Sequence, residues 1–416
     1  MNAKILLWLA MPAMLLAPAK AAAAAGAATS VGPDVTGGIP FRMGRANTLA
    51  FTVGDGGTGP FKAVLMGEAS LPTHAVYRPA DLGPFGQDQK LPVVLWANGG
   101  CRNSSGEFRN FLSEVASHGF IIVAIGPALS AATMSSEAPV YASQTSDYWV
   151  GLDWVVRENQ RPGSEYFGKV DTAKVAVMGQ SCGGVQALEA SLDPRVTTSV
   201  IWNSGVVART GNFTPPQQAA ITAAQATFAA RTAAVPEARR AVLAASLTFP
   251  RSDAAITSAL ESLAAADQSL ALAQAAALEK IQASPNRLTA EQRPLLGGPL
   301  NGPAMTRAML QQLHAPIAYF IGGPGDLAFP LSEADFAEIN HVPLLRANLD
   351  VGHYPATYRQ PNGGAFAQAG VQWLKWQLRG DAAAGEYFTA DRAGISADPA
   401  WTVEKKNLRP VTGPAR

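Results

Sequence analysis

The chain has 416 residues, of which 15% are charged, and its formal net charge at pH 7 is +1. A net charge this close to zero gives no electrostatic basis for binding nucleic acid, so we expect a neutral or small partner instead. The length suffices for one large domain with an insertion, or for two domains. The sequence leaves the oligomeric state open.

The N-terminal residues have the pattern of an export signal. Lys4 precedes an apolar run over residues 5–16, and small residues follow around Ala19–Ala21. We predict a secretory signal peptide over residues 1–21, because the run is too short to span a membrane; a buried helix is the alternative. Residues 22–45, rich in Ala and Gly, are predicted to be a flexible leader. No other segment is apolar enough to cross a bilayer, so we expect a secreted or periplasmic protein in a compartment that permits disulfides.

Strand and helix patterns alternate along most of the remaining chain. Strands are predicted at 61–66, 74–78, 93–97, 120–125, 175–178, 198–202, 316–321 and 342–349, and helices at 106–118, 147–158 and 366–378. This alternation predicts an α/β fold with a mostly parallel central sheet and helices on both faces. We assign the core to residues 46–209 and 304–380. Residues 381–416 are predicted to be a surface tail, anchored by Trp401.

The composition changes over residues 210–303, where Ala dominates and aromatic residues are few. Thr214 with Gln217, and Thr289 with Gln292, have the spacing of helix starts. We therefore predict a helical insertion between the sixth and seventh core strands. Its ends fall near the carboxyl edge of the sheet, so it either caps a site there or packs to one side as an appendage.

Ser181 lies in the sequence Gly179-Gln180-Ser181-Cys182-Gly183, between a predicted strand and a predicted helix. Small residues on both sides allow a tight turn, which presents the serine hydroxyl at the carboxyl end of the sheet. The pattern predicts the nucleophile elbow of an α/β-hydrolase. A serine hydroxyl also needs a base to take its proton and an acid to orient that base.

His353 is the candidate base, because it alone among the five histidines follows the carboxyl end of a predicted strand. Asp326 follows the strand at 316–321 and a glycine-rich turn, and is the candidate acid. Asp350 is the alternative acid, although it shares a loop with His353. The order Ser, Asp, His along the chain is the order of α/β-hydrolases.

The chain has only two cysteines, Cys101 and Cys182. In an α/β-hydrolase the residue after the nucleophile and the loop after the third strand are neighbours, and both donate backbone N–H groups to the oxyanion hole. We therefore predict a disulfide between Cys101 and Cys182, two buried thiols being the alternative. The predicted oxyanion donors are the N–H of Cys182 and that of Gly99 or Gly100, unless these glycines only form a turn.

The short motifs that hold a metal or a nucleotide cofactor are not found in the context that they require. No helical HExxH, CxxC pair or acidic calcium loop is present, and neither a GxGxxG nor a phosphate loop follows a predicted first strand. The predicted reaction therefore needs no metal and no cofactor.

Three stretches carry a family resemblance. They are Tyr166–Lys174 running into Val177–Ser181, Ala116–Phe120, and Arg102–Ser105. Together they closely resemble the bacterial cutinase-like and poly(ethylene terephthalate) hydrolases of the dienelactone hydrolase group. A nearer resemblance is to exported α/β-hydrolases with an Asn-Gly-Gly-Cys loop and a Ser-Cys-Gly-Gly elbow, for which we can assign no substrate.

The resemblance covers about residues 60–207 and 314–380. It implies an α/β-hydrolase fold and serine carboxylesterase activity, with Ser181, Asp326 and His353 on the family's triad. The polyesterases have an aromatic residue in the oxyanion loop, where this chain has Gly99 or Gly100. They also have Trp and Met beside the serine, where this chain has Gln180 and Cys182. The family aromatics help to hold aromatic polyester units, so the acyl and alcohol groups stay open here.

From these features we expect a serine carboxylic-ester hydrolase that forms an acyl-enzyme on Ser181. Three alternatives use the same scaffold. The residues could cleave a β-diketone, as hydrolases of oxidised poly(vinyl alcohol) do, or transfer an acyl group to an alcohol. The protein could also be a non-catalytic binding protein.

Overall fold

The computed structural model describes residues 49–128, 143–207, 214–217, 219–221, 223, 237–238, 240–245, 248, 252–282, 303, 305–354 and 356–409. The predicted signal peptide and leader, residues 1–45, lie outside the described residues. The predicted helix start at Thr289 does so too. Within the described part of the chain, no helix combines the length and the apolar character needed to cross a membrane.

One ten-stranded sheet forms the centre of the described chain. Its strands are β1 (Leu49–Phe51), β2 (Ala63–Gly67), β3 (His74–Pro79), β4 (Leu91–Ala97), β5 (Ile121–Ile125), β6 (Val170–Gln180), β7 (Thr198–Trp202), β8 (Ile317–Ile321), β9 (Leu344–Leu349) and β10 (Trp401–Lys406). The spatial order is β1-β2-β3-β5-β4-β6-β7-β8-β9-β10. The six strands from β5 to β9 in this order are parallel, and the outer strands pair antiparallel.

Helices cover both faces of this sheet. The helices that the structure describes are α1 (Arg109–Ser117), α2 (Ser146–Gln160), α3 (Cys182–Ala190), α4 (Asp253–Gln282, within the Ala-rich segment), α5 (Phe329–Glu338), α6 (Gly364–Arg379) and α7 (Ala382–Thr389). One apolar core lies between the sheet and α2, α3 and α5, and a second lies between the sheet and α1, α6 and α7. The central strands are buried on both faces, as expected for parallel strands covered by helices. The predicted mostly parallel sheet with helices on both faces is therefore confirmed.

The register of the parallel strands brings their carboxyl ends to one edge. Ala97 of β4 pairs with Gly179 of β6, and Gln180 pairs with Trp202 of β7. Trp202 in turn pairs with Phe320 of β8. Loops that follow these strands therefore begin side by side, and in open α/β sheets this edge is where ligands bind.

Both ends of the sheet differ from the sequence-based expectation. The three residues of β1 lie outside the predicted strands, because so short a segment shows no periodicity. Residues 382–389 and 401–406, within the predicted surface tail, instead form α7 and the edge strand β10. Trp401 is buried and its ring packs against Phe320 and Phe366, which brings the strand onto β9.

The Ala-rich segment leaves the sheet after β7 and returns at β8, which are the seventh and eighth strands once β1 is counted. Its first helical turn begins as predicted, because the amide N–H of Thr214 donates to Gln217 Oε1 at 2.9 Å and that of Gln217 donates to Thr214 Oγ1 at 3.4 Å. The 30-residue helix α4 is its longest described element. Its role as a cap stays a prediction.

Candidate active site

Ser181 sits on a strained turn between β6 and α3. Its backbone has φ 54° and ψ −118°, a conformation that L-residues rarely adopt and that is typical of functional turns. The turn is held because Ser181 N–H donates to the carbonyl of Trp202 at 2.9 Å, and Ser204 Oγ donates to the carbonyl of Ser181 at 2.6 Å. Gly183 allows α3 to approach β4, since a Cβ there would lie less than 3.0 Å from the carbonyl oxygen of Ala97.

The structure brings the three predicted catalytic side chains together. Ser181 Oγ lies 2.9 Å from His353 Nε2, and His353 Nδ1 lies 2.6 Å from Asp326 Oδ1. Because the carboxylate can only accept, Nδ1 carries the proton and Nε2 accepts from the serine hydroxyl. Asp350, the alternative acid, lies on the exposed start of the same loop and against Gly323. The carboxyl group next to the imidazole is that of Asp326.

Asp326 is buried and is held as a carboxylate by several donors. Its Oδ2 accepts hydrogen bonds from Asn203 Nδ2 at 2.8 Å and from Gly322 N–H at 2.9 Å, and its Oδ1 accepts from Ala328 N–H at 2.9 Å. Burial by itself raises the pKa of Asp326. The hydrogen bond and charge of His353, with the bonds from Ala328 and Asn203, outweigh burial and hold the pKa below its usual value of 3.8.

The predicted disulfide is present. Gly99–Cys101 form one turn of 3₁₀-helix directly after β4, and Cys101 is bonded to Cys182 with their Cα atoms 5.1 Å apart. Gly99 and Gly100 therefore lie on the loop that is covalently fastened to the residue after Ser181. The two segments predicted to supply oxyanion donors are neighbours, as the sequence led us to expect.

The other four histidines are not part of the hydrogen-bonded chain that joins Ser181, His353 and Asp326. His74 Nε2 contacts the carbonyl of Asp147, His118 pairs with Glu114, and His341 contacts the carbonyl of Leu313, while His314 precedes β8. The described residues contain no group of three or more His, Cys, Asp or Glu side chains that could hold a metal ion.

Residues 84–209 match the family model described as PET hydrolase-like. The fold is that of an α/β-hydrolase. The match confirms the resemblance to the cutinase-like and PET hydrolase-like group and indicates an ester hydrolase. It covers Ser181, Gly99 and Gly100, whereas Asp326 and His353 lie beyond it. No curated protein matches the chain.

The hydrolase departs from the polyesterase pattern at the positions that flank the serine. Gln180, in place of the family's Trp, is buried, and its Nε2 donates to the carbonyl of His353 at 3.1 Å. Cys182, in place of Met, is bonded to Cys101. Where the family has an aromatic and a thioether side chain, this chain has a glutamine that hydrogen-bonds to the His353 main chain and a cysteine in a disulfide.

Three apolar side chains are exposed next to Asp326 and His353. Leu327 follows Asp326 and is 46% exposed, while Val351 and Tyr354 flank His353 and are 40% and 45% exposed. The Tyr354 ring stands edge-on to the imidazole, with the ring centroids 5.1 Å apart. Exposed apolar side chains that adjoin Asp326 and His353 in sequence favour contact with an apolar ligand at this site.

Sequence reasoning missed two residues that support Asp326, the candidate acid. Asn203 follows β7 and contacts Asp326, and Tyr358 Oη donates to Asn203 Oδ1 at 2.6 Å. The only sequence signal for Asn203 was its place at the carboxyl end of a predicted strand. Tyr358 carried no signal, because its contact with Asn203 spans 155 residues.

Proposed function

We propose that the protein is an exported serine carboxylic-ester hydrolase that works through an acyl-enzyme on Ser181. The observation that carries the proposal is the continuous chain of hydrogen bonds from Ser181 Oγ through His353 to Asp326. Serine, base and acid within hydrogen-bond reach of each other are the requirement for nucleophilic acyl transfer.

In the first half of the reaction, Ser181 Oγ attacks the ester carbonyl carbon while its proton moves to His353 Nε2. The imidazolium is stabilised by ionised Asp326, whose low pKa keeps it charged at neutral pH. The bond to the alcohol then breaks, and Nε2 returns the proton to the leaving oxygen. The product that stays behind is an ester of Ser181.

In the second half, water gives a proton to His353 Nε2 and attacks the acyl carbon. The bond to Ser181 Oγ breaks, and the serine recovers its proton from the imidazolium. The acid leaves, and the enzyme returns to its starting state.

The developing negative charge on the carbonyl oxygen needs donors that are already in place. We assign this role to the N–H of Cys182 and to an N–H of Gly99 or Gly100. The disulfide supports the assignment because it fixes the two segments relative to each other before the substrate arrives. Preorganised donors of this kind contribute about 3–4 kcal/mol each to lowering the barrier.

Export is proposed for two reasons. The sequence pattern over residues 1–21 is that of a signal peptide, and disulfides persist mainly in oxidising compartments. N-terminal sequencing of the protein recovered from the periplasm or medium should give a start near Ala22. Recovery of the intact chain from the cytoplasm alone would contradict this.

Turnover of p-nitrophenyl esters by Ser181→Ala tests the proposed chemistry. We expect activity to fall by at least about a thousandfold, with an unchanged melting temperature. Ser262→Ala, on the exposed face of α4, is the matched control and should retain full activity. A fluorophosphonate probe should label the wild-type protein and not Ser181→Ala. Unchanged turnover by Ser181→Ala would remove Ser181 from this role.

A further inference from the structure

Gln180 links the elbow to the loop of the candidate base. It is the last residue of β6, and its polar side chain is completely buried. Its Nε2 donates to the backbone carbonyl of His353 at 3.1 Å, across 173 residues of sequence. The residue next to the nucleophile therefore binds the main chain of the base directly.

The other end of the same amide lies against the oxyanion loop. Gln180 Oε1 is buried and has no hydrogen-bond donor among the residues that the structure describes. A Cβ at position 99 would lie less than 3.0 Å from this oxygen, and the next nearest atoms would be Gln180 Cδ and Tyr354 Oη at 3.3 Å. The backbone of Gly99 is outside the left-handed region, so an L-residue could adopt it. The Gln180 side chain, and not backbone conformation, is what occupies the space of a Cβ at position 99.

A buried acceptor without a donor is unfavourable, and native proteins keep few of them. An apolar side chain of similar length would fill the same space without that cost. The structure thus retains a glutamine where only one end of its amide is satisfied, and that end holds His353.

We propose that Gln180 is a positioning residue for the base, and that Gly99 is glycine because Gln180 occupies the space beside it. The inference rests on the proposed serine-hydrolase function. The loop of His353 is already held on its other side, since Gly352 N–H donates to the carbonyl of Gly322 at 2.7 Å. Gln180 binds the carbonyl of His353, the residue that follows Gly352. Together the two contacts fix the distance from the imidazole to Ser181 Oγ.

The positioning role predicts a specific kinetic effect. Gln180→Met has a side chain of similar length without the donor, and kcat should fall about tenfold, since a displaced catalytic group loses rate steeply. KM should stay within about twofold, because the exposed apolar groups beside the site are unchanged. The rate of fluorophosphonate labelling at Ser181 should fall in parallel with kcat, because it depends on the same base.

The role of Gly99 is tested with a double-mutant cycle. Gly99→Ala should push the amide of Gln180 away and lower kcat about tenfold in the wild-type background. In a Gln180→Ala background the space is free, so the same alanine should cost less than about twofold. Gly86→Ala is the matched control, because a Cβ there meets nothing within 4 Å and its φ is not positive. It should leave kcat unchanged.

The outcomes separate this inference from the proposed function. Equal losses from Gly99→Ala in both backgrounds would mean that the methyl group obstructs the substrate or the oxyanion donors directly, which overturns the inference. Wild-type kcat in Gln180→Met would also overturn it, provided that Ser181→Ala is inactive. Full activity in Ser181→Ala would instead refute the proposed function itself. If Gln180→Met does not fold, the Gly99→Ala comparison gives the answer alone.

Discussion

Tyr358 donates a hydrogen bond of 2.6 Å to the side-chain oxygen of Asn203. The amide nitrogen of Asn203 then donates to Asp326 Oδ2 at 2.8 Å. Both side chains are buried, so the orientation of the amide is fixed from one side by the phenol and from the other by the carboxylate. One oxygen of Asp326 in the proposed triad thus contacts the imidazole, and the other is connected through Asn203 to the buried side chain of Tyr358.

Tyr358→Phe removes the donor to Asn203 and leaves a buried carbonyl oxygen without a partner. We expect the free energy of unfolding to fall by about 1–3 kcal/mol, and kcat to fall several-fold because Asn203 can rotate away from Asp326. Tyr77→Phe is the matched control, since its buried hydroxyl contacts Ser105 at 2.9 Å. It should lower stability by a similar amount without changing kcat. Equal kcat values in the two variants would contradict a role for Tyr358 in orienting Asp326.

The disulfide between Cys101 and Cys182 is expected to contribute to both stability and rate. It closes a separation of 81 residues, and replacing both cysteines by alanine should cost about 2–4 kcal/mol. At temperatures well below the melting transition, kcat should also fall while KM changes little, because the two oxyanion segments lose their fixed spacing. Chemical denaturation and steady-state kinetics measure the two effects. A folded double variant with wild-type kcat would deny the disulfide a catalytic role.

The exposed apolar groups beside the site predict a dependence on the size of the ester. Leu327→Ser should raise KM for a long-chain p-nitrophenyl ester about threefold to fivefold, since about 1 kcal/mol of apolar contact is lost. KM for the acetate should hardly change. Phe167→Ser is the matched control: Phe167 is 51% exposed but precedes the amino end of β6, at the opposite edge of the sheet. A similar rise in KM for both esters, or in both variants, would show that Leu327 does not contact the acyl chain.

Asp335 gives the protein a pH-dependent stability that is independent of the site. Burial raises its pKa from 3.8 to about 7, despite a hydrogen bond from Val206 N–H and contact with Arg307. The folded state therefore keeps a proton that the unfolded chain loses above pH 3.8, so stability should decrease as the pH rises from about 4 to 7. The contribution is at most about 1.4 kcal/mol per pH unit.

The variant Asp335→Asn cannot titrate, so this part of the pH dependence should disappear. The readout is the slope of unfolding free energy against pH between 4 and 7, measured by denaturant titration for both proteins. The absolute stability of the variant is a separate quantity, because the substituted amide would place a donor toward Arg307. An unchanged slope would mean that Asp335 is ionised in the folded protein throughout this range.

Much of the candidate site could be predicted because parallel strands bring residues distant in sequence to one edge. Ser181, Asp326 and His353 each follow a strand that is apolar enough to recognise, and the register then sets their proximity. Cys101 and Cys182 could be paired by the same reasoning. These predictions needed only the approximate carboxyl ends of strands, which the apolar runs indicate.

The parts that were not predicted depend on contacts without a local pattern. Tyr358 lies in a short 3₁₀ segment and acts through a hydrogen bond to a distant amide. The strand β10 carries Glu404, Lys405 and Lys406, so its sequence looks like a solvated tail, yet Trp401 is buried and begins an edge strand. Gln180 was recognised only as a departure from a family pattern, since sequence alone does not show which carbonyl it binds.

The Ala-rich segment begins after β7 and ends before β8, and these two strands are neighbours in the sheet: Trp202 of β7 pairs with Phe320 of β8. The side chain of Asp335 contacts the outgoing chain at Val206 and the incoming chain at Arg307. The pairing of β7 with β8 therefore does not require a particular length or shape of the Ala-rich segment between them.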